Sequence, residues 1–114
     1  MRTSELTGAA LDWAVAKALS LNEEDYVEID NLYGPVWRGP EYSSDWAQGG
    51  PIIEREEIAL EPMTHDEHGD GWLATRVEGP AVCMEFGQTM LIAAMRCYVA
   101  SKLGDEVEVP EGLK

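Results

Sequence analysis

Positive charge is what this chain most lacks: eight lysines and arginines stand against 22 aspartates and glutamates in 114 residues, a formal net charge of −14. Nucleic acids are held chiefly through their phosphates, so a surface with so few and such scattered cations argues against direct nucleic-acid binding. Long apolar runs are missing too. The longest stretch, Met90 to Val99, is broken by Arg96 and falls short of a membrane span, so no membrane partner is expected. The first residues, Met1-Arg2-Thr3-Ser4-Glu5, have neither the apolar segment nor the small-residue cleavage site of a secretory leader, and the expected compartment is the cytoplasm. Two cysteines, Cys83 and Cys97, are too few for a disulfide framework and are expected as reduced, mostly buried thiols.

Catalytic residue types are equally thin. Ser43 and Ser44 lack the flanking glycines of a nucleophile elbow, and two histidines leave little choice of base. Asp45 and Glu54 would make an acid–base pair only at a separation the sequence does not give. His65 and His68, with Asp66, Glu67 and Asp70, lack the spacing of a helical zinc motif and any later ligand to close a site. That segment reads as an acidic hairpin tip. No metal and no cofactor are expected, and the protein is read as non-enzymatic.

What is present suffices for one hydrophobic core. An apolar fraction of 45% is ordinary for a globular chain, and the length leaves room for a single domain spanning residues 1–114. Leu11, Val15, Ala18 and Leu19 recur at helical spacing after Thr7, a residue type that caps helices, and predict a helix over Leu6–Leu19. Tyr26 to Ile29 alternates weakly as a short strand. Ile58–Pro62 and Trp72–Val77 read as a hairpin with a long polar tip. Thr89 to Gly104 predicts a second helix, with Ile92, Met95, Val99 and Leu103 on one stripe. Glu106-Val107-Glu108-Val109 alternates as a strand stopped by Pro110. The sum is an α+β fold, a small, mostly antiparallel sheet packed against two helices.

Between these elements, Asn31 to Gly50 reads as a Gly-, Pro- and Ser-rich loop carrying Tyr33, Trp37, Tyr42 and Trp46. A loop of that length in a small domain is functional or packs down as its own cluster. It runs through Asp45, Trp46, Ala47, Gln48, Gly49 and Gly50 into Pro51, where a short helix is expected to start. Tyr42 and Trp46 offer faces for stacking a ring, Gly49 and Gly50 backbone donors, and Arg55 a charge for an anion. The competing reading, which carries more weight for this segment alone, is a tight turn beside a solvated face of Glu54, Glu56 and Glu57. Arg96 lies on the apolar stripe of the second helix. It is either aimed into a cleft as a ligand-binding cation or, more simply, paired with an internal carboxylate.

Three segments carry a family resemblance: Glu5-Leu6-Thr7-Gly8-Ala9-Ala10-Leu11-Asp12-Trp13-Ala14-Val15-Ala16-Lys17, Tyr42 through Glu56, and Leu91 through Gly104 with the Glu-Val-Glu-Val-Pro tail. Together they resemble the NinX-like proteins of bacteriophages and prophages. The stretch from His65 to Phe86 departs from that likeness. The resemblance implies a phage accessory protein acting in the bacterial host cytoplasm, and brings no defined activity with it. The leading expectation is binding of a small, nucleotide-like molecule through Tyr42, Asp45, Trp46, Gln48, Gly49, Gly50, Arg55 and Arg96. Sequestering a host signal nucleotide to counter a defence is one use for it. The alternatives are an acidic inhibitor docking on a basic host or phage protein, and a structural protein that forms homo-oligomers through the alanine-rich second helix.

Overall fold

A computed structural model describes residues 1–113. Its centre is a helix, α3 (Met90–Leu103), in which Ala93, Ala94, Met95, Cys97 and Val99 have no exposed surface. Thr89 starts it by accepting the Ile92 N–H at 3.1 Å, and Gly104 ends it at a φ of 90° that a side chain would strain. Helix α1 (Gly8–Ala18) lies against α3 and is itself buried from Ala10 to Ala16. Alanines on both helices let their backbones approach closely. Thr7 precedes α1 with extended backbone, but its hydroxyl makes no capping bond.

The chain continues into an antiparallel hairpin, β1 (Val27–Asp30) with β2 (Gly34–Trp37), and then into α2 (Trp46–Arg55). Strands β3 (Ala59–His65), β4 (Gly69–Glu78) and β5 (Ala81–Gly87) form an antiparallel meander in that spatial order. Leu60, Trp72 and Cys83 point from this sheet toward the core, and Ala74 is fully enclosed under α3. The opposite face carries Met63, Val77, Val82 and Met84, all exposed. The expected α+β class holds.

Several elements differ from expectation. The presumed loop contains β2 and the first half of α2. Strand β5 had no counterpart in the sequence reading, because Ala81–Gly87 shows no clean polar alternation. Residues 107–113 join neither sheet; Met1 and Val107 exchange two hydrogen bonds of 2.9 Å, which hold this stretch beside the N-terminus. Their alternation nevertheless reports burial, since Val107 and Val109 are both enclosed. Of the small residues of α3, Ala93 and Ala94 are buried within the same chain, where α3 packs on α1 and the sheet, while Ala100 and Ser101 remain partly exposed.

Both cysteines are free thiols. The Cys97 thiol donates to the Cys83 carbonyl at 3.5 Å, and burial pushes it up to about 12, so it stays protonated and unreactive.

Candidate functional site

Helix α2 begins at Trp46, ahead of the expected Pro51, because Asp45 caps it: its carboxylate accepts the Ala47 N–H at 2.9 Å. The positive end of α2 is thus already met by a carboxylate of its own chain. Gly49 and Gly50 lie inside the helix, and Gly49 donates its N–H to the Asp45 carbonyl at 2.9 Å, so the expected glycine turn with outward donors is not formed. Gly49 answers a packing need instead. A Cβ there would collide with the Tyr42 carbonyl oxygen.

The aromatic residues also separate. Tyr42 is 6% exposed and packs into the core, whereas Trp46 is 53% exposed. Trp37 leans on Tyr26, with ring centroids 5.5 Å apart, and donates Nε1–H to the Pro40 carbonyl at 3.1 Å. Tyr33 stands at the exposed tip of the first hairpin. Arg55 is held by Glu56 at 2.9 Å on the outer side of α2, and Gln48 is exposed there. Of the expected binding residues, only Trp46 lines a concavity at this place.

That concavity is a cleft of about 490 Å³ between Trp46 and Trp72, with Ser43, Ser44, Gln88 and the first turn of α3 as its remaining lining. An α-helix leaves its first N–H groups without intrahelical partners; Thr89 satisfies that of Ile92, and Met90 and Leu91 of the same first turn line the cleft. Two indoles, two hydroxyls, an amide and a helix N-terminus can hold a flat ring with polar edges. A groove of about 580 Å³ beside Trp37 offers carboxylates Asp12 and Glu41 but no opposing ring, and fits such a ligand less well. Sequence reading placed Trp72 in a strand and Thr89 at a helix cap correctly. It had no means of seeing that both line one cleft with Trp46.

Arg96 sits in a different cleft, of about 610 Å³, shared with Glu5, His65, His68, Glu85 and Phe86. Its Nε donates to the Leu6 carbonyl at 2.8 Å and its Nη1 to the Phe86 carbonyl at 2.9 Å. Among the described residues no carboxylate forms an ion pair with it, so the internal salt bridge is not there. Burial pushes the guanidinium below its usual range, and the nearby Glu85 charge acts in the opposite sense. Burial likewise pushes the Glu85 carboxyl up, with Arg96 opposing it. His65 and His68 lie tilted against each other at 4.6 Å and both pack against Phe86, and His65 Nδ1 accepts the Glu67 N–H at 3.0 Å. Among the described residues no group of three or more His, Cys, Asp or Glu is placed to hold a metal ion. No helix among them is long and apolar enough to cross a membrane.

Residues 2–102 match the family described as Bacteriophage P22, NinX. A crystal structure at 2.0 Å of a phage protein from Bacillus cereus ATCC 14579 is similar in fold, with a TM-score of 0.52 over 95% of this chain and 93% of that one. The two share 14% sequence identity, so the likeness concerns the fold alone. No curated protein matches the chain.

Proposed function

The chain belongs to the bacteriophage P22 NinX family, and from that premise we propose that it is a non-enzymatic phage accessory protein that binds a small, ring-bearing, nucleotide-like molecule between Trp46 and Trp72. The observation that carries this reading is the pair of indoles on opposite elements, α2 and β4, lining one cleft at the capped start of α3. Stacking a ring on an indole contributes about 1–3 kcal/mol. The Ser43 and Ser44 positions, Gln88 and the α3 N–H groups would read the edge of the ring. An anionic substituent would meet the positive end of α3, which no residue of negative charge in the cleft lining opposes. In a host cytoplasm such a protein would hold a small molecule away from its receptor.

The test is titration of the protein with a panel of nucleosides and nucleotides, read by tryptophan fluorescence and by melting temperature. Saturable quenching with thermal stabilisation is expected for at least one compound, and Trp46→Ala should abolish both while keeping the fold, since that ring is half exposed. A flat response across the panel would remove the reading.

The −14 charge favours a second reading, docking on a basic host or phage protein. Salt separates the two. Charge-driven docking weakens steeply between low and physiological salt and survives Trp46→Ala, whereas ring stacking tolerates salt and is lost in Trp46→Ala.

A further inference from the structure

Arg96 is 6% exposed, yet no carboxylate of the described chain neutralises it. Two backbone carbonyls, of Leu6 and Phe86, clamp its Nε and Nη1 from behind. Its Nη2 has no protein partner among the described residues, and the side chain lines the cleft of about 610 Å³ at the edge of β5. A buried guanidinium ordinarily requires a counter-charge, because water has been removed from it and carbonyl dipoles cancel only part of the cost. Here the clamp orients the free edge of the fork toward the cleft in place of an internal partner. Three rings line the same cleft: His65 lies tilted against Phe86 with ring centroids 5.1 Å apart, and His68 against His65 at 4.6 Å.

We infer that this cleft is a binding site, separate from the Trp46–Trp72 cleft, for a small molecule that joins one carboxylate to a planar ring. The carboxylate takes the free edge of Arg96, and the ring lies on His65 and Phe86. The single charge follows from the surroundings. Glu5, Glu67 and Glu85 line the same cleft with Arg2, so carboxylates outnumber guanidiniums there, on a molecule of net charge −14. Attraction and repulsion both scale with ligand charge, and with the balance negative a phosphate dianion is penalised more than a carboxylate for the same fork hydrogen bonds. Glu85 approaches Arg96 closely enough to influence it without pairing, which leaves the fork open.

Benzoate, phenyl phosphate and uncharged benzamide are the probes, titrated into the intact protein by calorimetry and by ¹⁵N-detected NMR of the arginine side chains. Benzoate should bind at least about tenfold more tightly than benzamide and shift the Arg96 Nε resonance. Phenyl phosphate should bind more weakly than benzoate. Glu85→Gln removes one repelling charge without touching the clamp and should tighten benzoate by at least about threefold. His65→Ala should weaken it, and Trp46→Ala should leave it unchanged, so the two clefts are tested independently. Arg96→Lys keeps the charge but loses the fork, and should weaken benzoate about tenfold. If that variant fails to fold, the Glu85 and His65 variants still decide. Benzoate no tighter than benzamide, no effect of Glu85→Gln, or loss of benzoate binding in Trp46→Ala would each overturn the site. Phenyl phosphate tighter than benzoate would overturn its assignment to a monocarboxylate.

Discussion

Ser43 donates its backbone N–H to the carboxylate of Asp12 at 2.8 Å, and this buried bond ties the turn before α2 to the middle of α1. It therefore fixes one wall of the Trp46 cleft to the core, since Ser43 lines that cleft. Asp12 is 4% exposed, and burial raises its carboxyl above the ordinary range, with the Ser43 N–H pulling the other way.

A carboxyl raised in the folded state binds more protons there than in the unfolded chain, between the two pKa values. Its contribution to stability is therefore fully present at low pH and is lost as pH rises through the folded value. Asp12→Asn keeps an acceptor for Ser43 and has no such slope. At about pH 7 it should be at least as stable as the parent, with the difference shrinking toward about pH 3.5. Asp12→Ala leaves the Ser43 N–H unpaired and should lose about 1–3 kcal/mol. Urea unfolding of all three proteins across that pH range measures both effects.

The adjacent glycines of α2 should respond oppositely to alanine. At Gly49 the new methyl meets the Tyr42 carbonyl and the Leu91 side chain, and α2 must move away from its seat. A loss of about 1–3 kcal/mol is expected. At Gly50 the nearest atom is in the Trp46 ring at 3.6 Å, an ordinary contact. There the gain in helix propensity, up to about 1 kcal/mol, should raise the melting temperature.

Ion pairs should differ by burial. The Arg76 side chain, 10% exposed, holds Glu56 at 2.8 Å and Glu78 at 2.6 Å. Glu56→Gln weakens a shielded partner and should lose about 1–3 kcal/mol. Arg38 and Glu28, 57% and 69% exposed, are screened by water and salt. Arg38→Ala should change denaturant stability by less than about 0.5 kcal/mol.

The outer face of the β3–β4–β5 sheet breaks the usual polar-out pattern, with Val77 at 66%, Met84 at 57% and Val82 at 56% exposed. Like-charged copies repel until salt screens them, so sedimentation should show association rising with salt, the opposite of charge-driven docking. Met84→Lys should suppress it without loss of stability.

Both principal helices were legible in the sequence because their apolar residues recur at a helical period after a threonine, which caps α3 though not α1, and, for α3, before a terminating glycine. Strand β5 was not, and of helix α2 only the part from Pro51 onward was. Strand β5 has one face on the core and another that is apolar but exposed, so its residues do not alternate. Helix α2 carries two glycines and a proline, which locally favour a turn. Asp45 at its cap and the docking of Gly49 on Tyr42 override that preference. The Asp45 cap was readable in principle. The close approach that requires Gly49 was not, since Tyr42 is the contact that demands it.

By itself the sequence determined the acidic surface, the single core, the α+β class and the likeness to phage proteins. The first three follow from composition or from periodicity within one segment, and the likeness from three segments read together as a resemblance. Tertiary structure alone decided that Trp46 and Trp72 line one cleft, that Tyr42 turns inward, and that Arg96 opens on a separate cleft with no carboxylate partner among the described residues. Those outcomes depend on contacts between residues far apart in the chain, where local propensity carries no information about direction.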